Sequence, residues 1–398
     1  MKVKLMREMC GKLNRVAVLE APFAPTPIVR LSGDYGDNEI YAKRDDLIPF
    51  SFGGNKARKA QCFYRDILRD QPDVIVTYGS NSSNHCRIIA NMARSMGLPC
   101  HIISTDHEVA GKDGRELFNR ILVRDFGASI ETVPVEKVHD TIEHCLAAYR
   151  AAGKKPYFIQ GGGHGDIGTA AYYETFFEIL AQEEERGLSF DYIFHASGTG
   201  ATQGGLVAAK TAVRNAAQLA AGTQTAERNA AQPTAGTQTA VQNAAQLTTG
   251  TQTAVRNAAQ MTSDTQTAAR EALLRFVGAS LPEIVGISIA RKNPCGRAVV
   301  RESVTDYLDH QLGGAAHLFR EEDLIFDDHY ILGGYGEYTD GVRDLIGKVM
   351  AEDGIPMDTT YVGKAFYGML QYLKDHDIHG QQVLFLHTGG TPLYFDRL

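Results

Sequence analysis

An excess of positive charge is missing from this chain of 398 residues: 40 Lys and Arg stand against 47 Asp and Glu, a formal charge of −7. A polyanion would feel no long-range attraction to it, so neither nucleic acid nor an anionic membrane surface is an expected partner. Long apolar runs are missing too. No stretch approaches the roughly 18 consecutive apolar residues of a membrane span, and Met1 to Cys10 is charged, without the apolar core of a signal peptide. Cysteine is sparse and scattered: Cys10, Cys62, Cys86, Cys100, Cys145 and Cys295 include no C-x-x-C pair and no metal-ligand spacing. Reduced thiols, no metal site and a cytoplasmic location are therefore expected. Nucleotide signatures are also lacking. The glycine-rich stretch at 197–205 does not end in Gly-Lys-Ser/Thr. Where a dinucleotide site wants an acidic residue about twenty positions on, the chain has Ala216 to Gln224.

What is there suffices for a large soluble protein. A hydrophobic content of 43% over this length fills one large core or two ordinary ones, and two domains are expected. Short apolar runs at Glu39–Arg44, Val74–Tyr78, His101–Ser104, Ser129–Val133, Tyr157–Ile159, Tyr192–His195 and Ile284–Ala290 read as strands. Helical patterns stand between them at Ala57–Leu68, Arg87–Met96, Gly114–Phe126 and His139–Ala152. Alternation of this kind predicts an α/β fold of largely parallel sheets with helices on both faces, ligands binding at the carboxyl ends of the strands.

Among the loops, Gly53-Gly54-Asn55-Lys56-Ala57-Arg58-Lys59 carries the strongest chemistry. Paired glycines remove side-chain bulk so that a planar ligand could lie close, and the helix that follows puts Lys56 near its N-terminus. There the macrodipole disfavours an ammonium and favours the neutral amine that attacks carbonyls. Lys59, three residues on, offers a second charge to a bound anion, so the pair suggests a phosphorylated aldehyde. A solvated basic helix start would look similar. The second site is Ser197-Gly198-Thr199-Gly200-Ala201-Thr202-Gln203-Gly204-Gly205, which follows a strand and opens a helix. Free N–H groups and two threonine hydroxyls there form an anion cradle, and a monophosphate ester is its natural guest. Gly79 to His85 is a loop of short polar side chains suited to a carboxylate or a ring oxygen, and equally to a plain turn. The run Gly161 to Gly168 reads as a hinge rather than a ligand contact.

Residues 211–266 differ from the rest. A unit of fourteen that starts at Thr211 recurs from Thr225, Thr239 and Thr253, and a fifth start at Thr267 runs into an ordinary amphipathic helix. With Gly222, Gly236, Gly250 and Asp264 as breaks and almost no large apolar residues, the insert reads as a low-complexity surface excursion, not a solenoid.

Several motifs in order carry a resemblance: Lys43-Arg44-Asp45-Asp46, Gly53-Gly54-Asn55-Lys56, Ser83-Asn84-His85, the threonine-rich loop, Tyr335 ahead of Gly336, Tyr361-Val362-Gly363-Lys364 and His387-Thr388-Gly389-Gly390. The chain resembles the fold-type II pyridoxal-phosphate enzymes (tryptophan synthase beta-like), in particular the group of D-cysteine desulfhydrase and 1-aminocyclopropane-1-carboxylate deaminase, over nearly everything but the insert. The resemblance implies a small domain at 60–162 and a large cofactor-binding domain made of 1–59 and 163–398. It implies that Lys56 is the Schiff-base lysine and general base. Lys59 with Thr199, Gly200, Ala201 and Thr202 would hold the phosphate, Asn84 the ring oxygen, and Ser83, Asn84 and His85 the substrate carboxylate. Tyr335 and Tyr361 would contact substrate or move a proton. Where the cyclopropane deaminases have a glutamate after the second tyrosine this chain has Val362; where they have leucine in the terminal motif it has Thr388, whose hydroxyl is left to face the cofactor. The desulfhydrases usually have a hydroxyl residue at the position of Val362. The implied activity is β-elimination from a small amino acid, D-cysteine first, with aminocyclopropane carboxylate or cysteate as rivals. A homodimer is the family's habit. A non-catalytic ligand-binding homologue is the alternative of another class.

Overall fold

The computed structural model describes Leu19 and residues 23–105, 115–230 and 280–396, the stretch 219–230 by its backbone alone. Two sheets organise it. The larger has six strands in the order β1-β2-β10-β7-β8-β9: β1 (Ile28–Arg30), β2 (Glu39–Arg44), β10 (Gln382–His387), β7 (Tyr192–Ser197), β8 (Glu283–Ser288) and β9 (Ile325–Asp327). Only the β1–β2 pair is antiparallel. The smaller sheet is wholly parallel in the order β5-β4-β3-β6, with β3 at Val74–Gly79, β4 at Cys100–Thr105, β5 at Ser129–Val133 and β6 at Pro156–Ile159.

The expected strands fall within two residues of these bounds; the central ones are short apolar runs buried on both faces, whereas β5 at the edge of the small sheet is largely exposed. Around the small sheet, α1 (Asn55–Asp70), α2 (Asn84–Met96) and α3 (Phe118–Asp125) cover one face and α4 (Val138–Ala151) the other. Around the large sheet, α5 (Asp166–Arg186), α6 (Ala201–Ala230) and α7 (Cys295–Gln311) pack on one side. On the other lie α8 (Asp340–Asp353) and α9 (Val362–Asp375), while α10 (Thr391–Phe395) closes the described chain. Parallel strands need such crossovers, and right-handed crossovers bring helices to both faces.

The repeat insert begins differently from expectation. α6 continues through Lys210 into the first repeat unit, where Thr211, Val213 and Ala217 are buried and Val213 joins the core of the large sheet. Arg214 pairs with Asp323 and donates to the Leu318 carbonyl at 2.9 Å. Residues 211–218 are therefore packed helix, not surface excursion; what confers this is Val213 and Arg214 on the inward face of a helix already anchored upstream. The remaining units from 231 on lie outside the described residues.

Candidate active site

The carboxyl ends of strands from both sheets converge on one cleft of about 700 Å³. Tyr78 and Gly79 end β3, Thr105 ends β4, Ser197 ends β7, and Gly161, Ile289 and Thr388 follow β6, β8 and β10. Lys56 lines it from the second position of α1, after Gly54 as N-cap. Among the described residues its amine has no hydrogen-bond or ion-pair partner, and burial alone pulls its pKa down to about 8. The expected direction holds, but removal from water is the cause. The paired glycines also serve the fold. A Cβ on Gly54, at φ +94°, would stand 2.6 Å from the Thr388 carbonyl oxygen, and the Asn55 N–H donates to that oxygen at 3.0 Å. The lack of bulk at Gly54 admits the 388–389 backbone, which locks the lysine loop to the end of β10, while a Cβ on Gly53 would meet the Asp45 and Asp46 carbonyls.

The Lys43-Arg44-Asp45-Asp46 run turns out to be an anchor. Arg58 on α1 makes forked bonds to Asp45 at 2.8 Å and reaches Glu178 on α5, which also takes Lys43. Tyr172 donates to Asp45 at 2.6 Å. This buried network holds α1 against α5 and the end of β2, so Lys56 stands on a rigid element.

Beside it lies the glycine-threonine loop expected to hold an anion. Gly198, Thr199, Gly200 and Thr202 line the cleft at the start of α6, whose first-turn N–H groups have no partner within the helix. Gly200 sits at φ +93°, where an added Cβ would meet the Val299 carbonyl oxygen at 2.9 Å. The Thr202 hydroxyl accepts from Asn55 at 3.1 Å. Ala201 is fully buried behind this wall and does not line the cleft. Nor does Lys59: its stem packs beside Gly163 and its ammonium donates to the Gly162 carbonyl at 3.2 Å. Burial first, and the charge of Lys56 second, hold its pKa well below the usual lysine range. A helical offset of three residues put Lys59 on the face covered by the 161–168 segment, which spacing alone could not reveal. Gly161 and Gly162, expected as a hinge, line the cleft, and side chains there would press Tyr78 and Thr199.

α2 presents its N-terminus to the same cleft. Ser83 caps it, accepting from the Cys86 N–H at 3.2 Å, and its hydroxyl also stands within hydrogen-bond reach of the Cys86 thiol. Asn84 and His85 line the cleft. His85 Nε2 lies 2.8 Å from the Thr77 hydroxyl, which gives its single proton to the Ile159 carbonyl. Nε2 must therefore carry the ring proton and donate it, leaving Nδ1 with a lone pair only. Burial, then Lys56 and Lys59, hold this ring well below the usual histidine range, hence neutral. The expected contact of His85 with a carboxylate can thus come from its backbone N–H, not its ring.

Tyr335 and Tyr361 meet in the cleft. Their hydroxyls share a short hydrogen bond, and Tyr335 shares another, 3.0 Å long, with Ser80 from the small sheet. Burial first, then Tyr335, push the Tyr361 phenol well above its ordinary range, so it stays protonated. Two residues absent from the sequence-based list hold this pair. Asp358 accepts from the N–H groups of Thr360, Tyr361 and Val362 at the start of α9, and burial outweighs those bonds to raise its carboxyl to about 6. Lys364, fully buried, donates to the carbonyls of Ile289, Ile331 and Gly334, at 3.0 Å in the middle case. It thereby pins the loop that carries Tyr335. Thr388 lines the cleft as expected. Val362 lies in the apolar cluster beneath α9, and its polar contact is its backbone N–H to Asp358. Ser80, Asp358 and Lys364 were visible in the sequence only as loop filler or motif neighbours.

A family model described as pyridoxal-phosphate dependent enzyme matches residues 19–285. D-cysteine desulfhydrase of Salmonella paratyphi A is 28% identical over 393 residues, covering 96% of this chain and 97% of the relative; the enzyme of that name from Salmonella newport matches over the same extent. Among solved structures, one described as an ACC deaminase homologue superposes with a TM-score of 0.67 at 24% identity, covering 96% and 97% of the two chains. A hydrogen sulfide-producing enzyme from Fusobacterium nucleatum does so with 0.54 at 14%, covering 94% and 97%. These two share the fold.

Proposed function

The chain belongs to the pyridoxal-phosphate dependent enzymes, and from that premise we propose that it is a lyase of the D-cysteine desulfhydrase and ACC deaminase type, acting first on D-cysteine. The cleft suits the cofactor in size and in donors. Lys56 would meet its aldehyde, the wall from Gly198 to Thr202 its phosphate, the Asn84 amide its ring oxygen and the Thr388 hydroxyl its ring nitrogen. Lys59, behind the Gly162 carbonyl, would regain its positive charge only with the phosphate anion bound nearby to offset burial and Lys56. One observation carries the reading: Lys56 lines the cleft with no acid beside it among the described residues, and burial lowers its pKa to about 8.

Bound there, the cofactor supplies an electron sink for the pair left at Cα, deeper when a carboxylate protonates its ring nitrogen than when a hydroxyl such as that of Thr388 faces it. Lys56 takes the α-proton. The Ser83 hydroxyl and the first-turn N–H groups of Asn84 and His85 receive the substrate carboxylate. The Cβ–S bond breaks, sulfur leaves with the electron pair, and Tyr361 and Tyr335 hold a proton at the departing atom. D-cysteine and water then give pyruvate, hydrogen sulfide and ammonia. A thiolate departs readily, whereas the cyclopropane ring offers no such leaving group, and Val362 brings no carboxylate to help it. Cysteate is the nearest rival substrate. We also carry the reading of a cytoplasmic homodimer, checked by elution at twice the chain mass, and of domains divided at residues 59/60 and 162/163.

Steady-state assays of pyruvate and ammonia release with D-cysteine, L-cysteine, cysteate and aminocyclopropane carboxylate test the substrate. Preference for D-cysteine is expected; preference for aminocyclopropane carboxylate would sink the argument from Thr388 and Val362. A yellow protein that releases no pyruvate from any of them would point to the non-catalytic alternative.

A further inference from the structure

Arg87, on the first turn of α2, is completely buried, and no carboxylate pairs with it among the described residues. Its Nε has no hydrogen-bond partner among the described residues, and burial alone lowers its pKa to about 9. Packing does not account for it. A guanidinium without an acid in a dry interior destabilises the fold relative to an apolar side chain of its size. Its bonds show what it holds. Nη1 donates to the Ser51 hydroxyl at 3.1 Å, the guanidinium lies 5.6 Å from the centre of the Phe52 ring, and Nη2 donates to Asn84 Oδ1 at 3.1 Å. Ser51 and Phe52 both have positive φ, +47° and +61°, immediately before the glycines that precede Lys56. Arg87 is thus anchored on the lysine loop by two contacts, and its remaining arm reaches the amide.

The amide of Asn84 could in principle turn either way. Arg87 offers only donors, and Asn119 Nδ2 donates to the same Oδ1 at 2.9 Å. Asn119 cannot turn over either, because its Nδ2 also serves the Ser82 carbonyl at 2.7 Å. With two donors on Oδ1, the Asn84 NH2 is the group left for the cleft. We propose that Arg87 is a positioning residue that acts through Asn84, locking its amide with the donor side towards the bound cofactor while tying it to the loop ahead of Lys56. The proposal rests on the reading above that Asn84 faces the cofactor's ring oxygen, an acceptor that a flipped amide would repel.

The test is titration of apoprotein with pyridoxal phosphate, followed by the visible absorbance of the bound cofactor. Arg87→Lys keeps the buried charge but cannot span Ser51 and Asn84 together. It should bind about tenfold more weakly, the worth of one charge-assisted hydrogen bond, with a shifted visible band. Asn84→Ala should lose a similar factor, and the double variant should bind no more than about twofold worse than Asn84→Ala, because coupled residues do not add. Arg87→Met should follow Arg87→Lys; if it does not fold, Arg87→Lys and its double decide the matter. Wild-type affinity and band position in Arg87→Lys, even with a lowered melting temperature, overturn the proposal, as do losses that multiply in the double variant. Wild-type protein that binds no pyridoxal phosphate overturns the cofactor reading itself, a result distinct from either.

Discussion

Lys56 was legible because glycine-glycine ahead of a helix start is a local pattern, and the structure adds why the amine is poised: burial with no counter-charge. Lys56→Ala should abolish pyruvate formation while leaving the fold intact; turnover at the wild-type rate would refute its assignment. The lowered pKa has a definite sign. The neutral amine exists above about 8 and the ammonium below it. Trapping of Lys56 by an aldehyde and borohydride should therefore rise to a plateau just above that pH, whereas an ordinary lysine keeps gaining up to about 10.4. Asp358 gives a prediction of another kind. Asp358→Ala strips the acceptor from three N–H groups at the start of α9 and loosens Tyr361. A loss of about 2–4 kcal/mol in stability and a lower kcat are expected from chemical denaturation and steady-state assays. Lys59 and His85 were harder to read from sequence. A side chain's direction depends on what packs against it, here Gly162 and Thr77.

At the scale of elements, α6 is the one whose sequence reading changed most. Its start was evident from the Gly-Thr-Gly loop after a strand, but its continuation into the first repeat unit was not, since Thr211 to Gln218 is poor in large apolar residues. The repeat itself suggests the experiment. Removing 211–266 joins Lys210 to Thr267 and brings Ala269 and Arg270 to the positions of Val213 and Arg214, because fourteen residues are close to four helical turns. The new Arg270 should then pair with Asp323 as Arg214 does. Folding, cofactor binding and turnover should survive, with a stability change within about 2 kcal/mol for the smaller side chain at 213. Arg270→Ala should destabilise the shortened protein; insoluble or cofactor-free shortened protein would reveal a structural role for the units.

For the whole molecule, the cleft takes residues from the strand ends of both sheets, so a ligand bound there ties the two together. Pyridoxal phosphate at a hundredfold excess over its dissociation constant should stabilise the protein by about 2.7 kcal/mol, seen as a raised melting temperature and a smaller rise in Lys56→Ala. Among the described residues no helix is long and apolar enough to cross a membrane. The sequence by itself determined the α/β class and the strands β2 to β8, and it marked Lys56 and the glycine-threonine loop as site candidates, because each is written in contiguous residues: an apolar run, a glycine pair, a loop between strand and helix. Only the tertiary structure decided that Thr388 grips Gly54, that Tyr335 meets Tyr361 and Ser80, that Asp358 and Lys364 hold those tyrosines, and that Arg87 turns Asn84. Such pairings join residues as far apart as 54 and 388, and direction and partnership across that separation come from packing, which local pattern does not encode.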